Sequence, residues 1–314
     1  MHRTLSAAGA FWLAAFTYFI WGFTFLASRI AQDYGTPFVL LFWRFALAFV
    51  LLNLLRLTGR FPVRLHGRRL WPVLLAGLFE PVLYFPCEQY GLKLTSTSFS
   101  GVMVALIPLC SLVYGAVFLH EKATWRQVVF SVLSVAGVIV LAVYATGIGA
   151  GSFLGFLILL GTVFAGAGYI VACRACSGSF TAFERTYITC GMGAAAFGVL
   201  SVLEHRHGLS AVVLPMTHAP FALAIVFLSV VASVLSYLAL NRALEVLPVA
   251  RTAALINFST VVSVLAGVLL LHEPFGWVSA VASAAILVGI WGVQRFAAPT
   301  VPDTAESTEP LPLS

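Results

Sequence analysis

Ten apolar windows of membrane-spanning length follow one another along the chain, at residues 7–28, 37–55, 70–92, 98–119, 125–145, 152–174, 181–203, 218–240, 249–271 and 275–295. A helix needs about 20 mostly apolar residues to cross roughly 30 Å of hydrocarbon, so ten spans and their short connections use nearly the whole chain. The expected fold class is an all-α polytopic membrane protein with ten transmembrane helices. Composition agrees: 61% of the 314 residues are hydrophobic and 9% charged, too few charges to cover a water-soluble surface. No room remains for a large soluble domain. The first window follows only Arg3 and outruns the apolar core of a cleavable signal peptide, so it is expected to persist as a permanent helix. Residues 297–314, rich in Pro, Thr, Ser and acid, are expected to form a disordered cytoplasmic tail.

The formal net charge of +6 does not point to nucleic acid, because the basic residues lie between apolar windows and form no stripe on a soluble fold. They orient the spans instead. The connection at 56–69 holds Arg56, Arg60, Arg64, Arg68 and Arg69, and short cytoplasmic loops collect Lys and Arg. Placing it inside also puts Arg3, Lys122, Arg126, Arg174, Arg242, Arg251 and Arg295 on the cytoplasmic side, leaving Arg29, Lys93 and Arg206 outside. The N- and C-termini are then both cytoplasmic, in a multi-pass protein of the plasma membrane, or the inner membrane of a bacterium. All five cysteines fall in or beside apolar segments, where a thiol packs as a small hydrophobe. Cys173 and Cys176 form a lone CxxC inside a span, with no second CxxC or nearby His pair, so packing is favoured over zinc or redox use. No metal and no cofactor is expected.

The halves of the chain resemble each other. Leu119-His120-Glu121 recurs 152 positions later as Leu271-His272-Glu273, and the same offset superposes Ser111 on Ser263, Gly115 on Gly267, Trp125 on Trp277 and Gly137 on Gly289. A weaker match relates residues 17–29 to 162–174. The units are five-helix repeats at 7–145 and 152–295. Five spans is an odd number, so the second copy enters the membrane in the opposite sense and the repeat is inverted. Such pseudo-symmetry suits alternating access, in which two similar packings expose a central site to one side and then the other. Duplication that merely builds a stable bundle is the alternative.

These features resemble the drug/metabolite transporter superfamily, and within it the EamA-like transporters, over residues 9–295. The carriers are Trp21-Gly22, Pro37 with Arg44-Phe45, the run from Glu80-Pro81 through Tyr84 and Glu88 to Leu92, the Thr/Ser stretch at 95–98, Pro108, and Glu121 with its counterpart Glu273. In the second half Gly166-Ala167 replaces Trp21-Gly22 and Thr260 replaces Pro108, which points to the first half for polar site residues. The resemblance implies a secondary transporter, commonly an exporter of amino acids, metabolites or drugs, with a cavity between the halves. Its partners would be a small-molecule substrate and the lipid bilayer.

An ionisable side chain at membrane depth costs roughly 2.5 to 3.5 kcal/mol, so it needs a partner or a wet cavity. Arg44, Glu80 and Glu88 qualify. With a rise of about 1.5 Å per residue, Arg44 lies about 11 Å below the outer boundary, Glu80 about 18 Å and Glu88 about 6 Å, so Arg44 can reach toward either acid. Tyr84 is four residues from both glutamates and shares their face. Two readings stand. Arg44 and Glu80 line a cavity, with Glu80 taking a proton or a cationic group of the substrate; or Arg44 makes a static pair with Glu80 or Glu88 that fixes two helices. Glu88 could also snorkel to lipid.

Trp21, beside Gly22, is the aromatic most expected to meet substrate. Arg185 is expected to snorkel to the cytoplasmic interface beside Glu184, and Glu121 to cap a helix or pair with Lys122. Pro81, Pro86 and Pro108 are expected to interrupt helices. Asn53, Asn241 and Asn257 read as interhelical hydrogen bonders. An intramembrane lipid-modifying enzyme or protease would need converging nucleophiles, metal ligands or phosphate-binding groups, and the chain has no HExxH, GxSxG or Walker loop. A non-transporting receptor or assembly subunit is the remaining alternative class, separable by flux measurement.

Overall fold

The computed structural model describes residues 5–94, 103–146, 153–271 and 276–296, and among these every regular element is helical. In chain order the α-helices of six or more residues are α1 (Ala7–Gly22), α2 (Thr24–Gln32), α3 (Pro37–Leu57), α4 (Trp71–Gly77), α5 (Tyr84–Leu94), α6 (Ile107–Phe118), α7 (Trp125–Thr146), α8 (Phe153–Ala175), α9 (Ala182–Glu204), α10 (Ala219–Val226), α11 (Ser236–Ala243), α12 (Val249–Ala254), α13 (Ile256–Leu271) and α14 (Trp277–Arg295). Among the described residues six helical stretches are long and apolar enough to cross a membrane: Ala7–Gln32, Pro37–Leu57, Phe153–Ala175, Ala182–Glu204, Ala219–Ala243 and Trp277–Arg295. Large apolar side chains face outward around the bundle, with Trp12 and Leu223 each 70% exposed, a surface suited to lipid.

Local sequence explains where these helices begin and break. Thr36 and Thr181, 145 positions apart, each cap a following helix: Thr36 Oγ1 accepts from the Val39 amide and Thr181 Oγ1 from the Glu184 amide. Glu184 returns the bond to the Thr181 amide, completing a capping box. Between α4 and α5 the chain passes through Leu78–Leu83, where Glu80 is extended (φ −142°, ψ 117°). The ring of Pro81 disfavours helical backbone at the residue before it, which accounts for the break. The second repeat has its own irregularity, a run of wider turns over Phe227–Leu235 between α10 and α11. There is no proline in that run. Of the three prolines expected to interrupt helices, only Pro81 does so: Pro108 stands in the first turn of α6, where the missing amide is not needed, and the helix continues through Pro86.

The repeats pack around a pseudo-twofold axis. Helix α7 lies against α14 and α3 against α9, each pairing equivalent elements of the two units, while α5 on α8 is matched by α1 on α11. The α7–α14 contact displays the symmetry in single atoms. A Cβ on Gly137 would lie 2.9 Å from the Ala282 carbonyl oxygen, and one on Gly289 would lie 2.7 Å from that of Phe130. Phe130 and Ala282 are themselves related by the 152-residue offset. The superposed glycines let the two backbones touch.

One end of the bundle is basic and tied by charged links. Arg68 pairs with Glu184 at 3.1 Å and Arg174 with Glu121 at 3.4 Å, and Glu121 also accepts from the Val249 amide at 2.8 Å. Val249 is the first residue of α12, so Glu121 caps a helix, one of its two expected roles, and joins the repeats in place of pairing with Lys122. Arg185 departs from expectation. Its side chain is 0% exposed and turns inward, donating to the carbonyls of Cys173 (2.8 Å) and Asn241 (2.6 Å) and pairing with Glu245 (2.9 Å), which also pairs with Arg242. Neighbouring residues on a helix point about 100° apart, so Glu184 faces the basic loop while Arg185 faces the core. At the opposite end Thr36 donates to Glu204 at 2.7 Å and Gln32 to Gln89 at 2.6 Å. Glu273, the 95–98 stretch and the tail at 297–314 lie outside the described residues.

Candidate functional site

The break in the first repeat brings a carboxylate into the middle of the bundle. Glu80 is 6% exposed, and its Oε1 accepts a 2.5 Å hydrogen bond from the Tyr237 hydroxyl of α11. Extended backbone at Glu80 turns its side chain out of the helical register and across to the second repeat. Around Tyr237 stand Trp21 and Tyr169, ring centroids 5.4 and 5.9 Å away, and Tyr18 packs on Trp21 at 5.3 Å. The Tyr18 hydroxyl is buried with no hydrogen-bond partner among the described residues. An unpaired buried hydroxyl is costly, so this group marks a position where a polar ligand atom would be welcome.

Arg44 on α3 is 5% exposed. Its Nε donates to the Ser233 hydroxyl at 2.9 Å, and its guanidinium carbon sits 4.9 Å from the Phe85 ring centroid and 5.4 Å from that of Phe45. A guanidinium over aromatic faces is stabilised by their quadrupoles. Among the described residues no Arg44 nitrogen lies within 4.0 Å of a carboxylate oxygen, so the direct pair with Glu80 or Glu88 is not formed. Both carboxylates nevertheless lie within Coulombic reach of Arg44.

Glu88 is 7% exposed, which places it inside the protein and away from lipid. Its Oε1 accepts from the Tyr84 hydroxyl at 3.2 Å and its Oε2 from the Gln89 amide at 3.4 Å. Trp21 donates its indole N–H to the Ala232 carbonyl at 2.9 Å, and Thr17, one turn earlier, donates to the Ser236 carbonyl at 3.0 Å. Both acceptors belong to the irregular segment of the second repeat or the residue after it. Trp21 thus clamps that segment with its polar edge while its ring borders the site.

Arg44, Glu80, Tyr84, Glu88 and Trp21 therefore surround one region. Residue-by-residue reading missed Tyr18, Tyr169, Ser233 and Tyr237, three of them from the second repeat. The 152-residue offset held a signal for two: it superposes Glu80 and Pro81 on Ala232 and Ser233, and Phe85 on Tyr237. The asparagines make interhelical bonds, Asn53 with Tyr187 (2.9 Å), Asn241 with Thr186 (3.0 Å) and Asn257 with Ser134 (3.0 Å). Cys173 and Cys176 are buried and free, and no group of three His, Cys, Asp or Glu capable of holding a metal occurs among the described residues.

The model of the EamA-like transporter family matches residues 8–143 and again 153–295. The chain is 32% identical over 287 residues to an uncharacterized transporter, YcxC, of Bacillus subtilis (strain 168), covering 90% of this chain and 91% of the relative. It is 26% identical over 294 residues to an uncharacterized transporter of Archaeoglobus fulgidus, covering 90% of this chain and 97% of the other. A solved crystal structure superposes with a TM-score of 0.79 at 20% identity, over 93% of this chain and 98% of that one, and shares the fold.

Proposed function

Because the chain belongs to the EamA-like transporter family, within the drug/metabolite transporter superfamily, we propose that it is a secondary active transporter exporting a small metabolite, amino acid or drug by alternating access. In this reading ten helices form two inverted repeats, and both termini are cytoplasmic. The basic end of the bundle, with the 56–69 loop, Arg126, Arg174, Arg242 and Arg295, supports that orientation. The charged links Arg68–Glu184 and Arg174–Glu121 join the repeats there. They suit a state closed to the cytoplasm.

The observation that carries the proposal is the Glu80–Tyr237 bond. A buried carboxylate at a backbone break in one repeat, held by a hydroxyl of the other, responds to charge and to relative movement of the halves at once. Binding a proton or a cationic group at Glu80 weakens the need for Tyr237, and release restores it. Coupling of this kind requires differential interaction with two states, which a bond across the moving interface supplies. Arg44, Tyr84, Glu88 and Trp21 complete the substrate- and proton-binding set.

Efflux of a labelled panel of amino acids, nucleosides and cationic drugs from cells expressing the chain tests this reading. Export of one class above the vector control, abolished by an uncoupler, is the expected result. A panel retained equally by expressing and control cells, with the protein correctly inserted, would count against transport and favour a receptor or assembly subunit.

A further inference from the structure

We propose that the segment 56–70, which joins α3 to α4, is a binding site for the phosphate groups of anionic phospholipids. The inference uses only the membrane-spanning character of the chain, so it stands whether or not the transport reading does. The segment holds Arg56, Arg60, Arg64, Arg68 and Arg69 and no acidic residue. Its local structure keeps it against the bundle. Two glycines with left-handed backbone turn it, Gly59 at φ 73° and Gly67 at φ 77°, while Phe61 stacks on Phe183 of α9 at 4.9 Å and the Arg64 amide donates to Glu184 at 2.9 Å. On either side Leu57 ends α3 and Trp71 begins α4, and both are exposed. A tryptophan at the end of a span sits at headgroup level, so arginines pinned beside it lie where lipid phosphates lie.

Charge balance singles this segment out. Arginines elsewhere at the same end already have partners: Arg174 pairs with Glu121, Arg185 and Arg242 both pair with Glu245, and Arg126 lies over the Phe296 ring at 5.0 Å. Within the segment Glu184 neutralises Arg68. Arg60, Arg64 and Arg69 are exposed, and among the described residues their guanidiniums make no ion pair or hydrogen bond. A guanidinium fork matches two phosphate oxygens at once, which suits these three groups to a headgroup. Like charges this close in sequence repel, and a phosphate among them relieves the repulsion and helps hold the segment on α9. The corresponding connection of the second repeat, residues 205–218, carries Arg206 as its one Lys or Arg, so duplication does not account for the cluster.

The test uses the full-length protein in phosphatidylcholine nanodiscs containing increasing phosphatidylglycerol, with spin-labelled copies of each lipid reporting their retention at the protein by electron paramagnetic resonance. Wild type is expected to retain phosphatidylglycerol over phosphatidylcholine. Each of Arg60→Gln, Arg64→Gln and Arg69→Gln is expected to weaken that retention roughly fivefold, the scale of one cation at an anionic membrane surface. The three changes together should leave phosphatidylglycerol held no better than phosphatidylcholine, and the single variants carry the test if the triple variant fails to fold. A matched control, Lys122→Gln with Arg126→Gln and Arg295→Gln, removes as much charge outside the segment and should keep the preference. A wild-type protein without preference, or equal losses in the two triple variants, overturns the site. Displacement of the spin-labelled lipid by inorganic phosphate alone would assign the arginines to a soluble phosphate and overturn it as well.

Discussion

The irregular segments Leu78–Leu83 and Phe227–Leu235 occupy corresponding places in the two repeats, yet they differ in what they carry. The first holds Glu80 and Pro81; the offset positions in the second hold Ala232 and Ser233. One supplies a charge, and the other supplies a carbonyl for Trp21, a hydroxyl for Arg44 and, just beyond it, the Tyr237 hydroxyl for Glu80. Both units carry an irregular segment at this place, broken at Glu80 in the first and widened without a break in the second, and the chemistry is divided between them. A site assembled this way needs both repeats, so relative motion of the halves acts directly on it.

That division of labour can be broken most severely by removing its charge. Glu80→Gln is expected to abolish net export while leaving membrane insertion intact, as read by efflux and by protein level in membranes. Adding Ala232→Glu to Glu80→Ala asks whether the two irregular segments are interchangeable; partial return of export would show that a carboxylate from either repeat serves, and no return would show that the Tyr237 partnership is required. Gly289→Val forces side-chain atoms onto the Phe130 carbonyl and should destabilise by about 3 kcal/mol or more, the upper range for overpacking, seen as a lowered melting temperature in detergent. Gly137→Val should act similarly, since its environment is the symmetric one, and a large difference between the two would weaken the pseudo-twofold account.

Smaller effects follow on the second repeat. Tyr237→Phe leaves a Glu80 oxygen without its donor and is expected to cost about 1–3 kcal/mol and reduce export more than stability alone explains, measured as flux per folded protein. Ser233→Ala removes an acceptor from the Arg44 guanidinium, which keeps its aromatic neighbours, so about 1.5–3 kcal/mol, the range for a hydrogen bond to a charged group, is expected from thermal unfolding.

Much of the architecture was legible in the sequence because hydrocarbon imposes a length and polarity rule that apolar windows obey one by one. The repeat was legible because Trp, His, Glu and Gly recur at one offset, and Gly137 and Gly289 prove to make equivalent contacts. Arg44, Glu80 and Glu88 stood out by the cost of burying charge. Tyr237 and Ser233 did not, since a tyrosine or serine in a span is cheap and common, and their importance comes from which helix they face. Arg185 was misjudged for a related reason: its partners Cys173 O, Asn241 O and Glu245 come from distant positions, and proximity to a span end in sequence suggested water instead. The wider turns of Phe227–Leu235 had no proline to announce them.

The central claim is that Glu80, held by Tyr237 across the repeat interface, couples substrate movement to a proton. Proteoliposomes containing an internal pH indicator and the substrate found by the efflux panel test it directly, with wild type and Glu80→Gln compared at equal reconstitution. Substrate flux that moves protons in wild type and moves none in Glu80→Gln is the expected result. Proton movement of wild-type size in Glu80→Gln would contradict the claim.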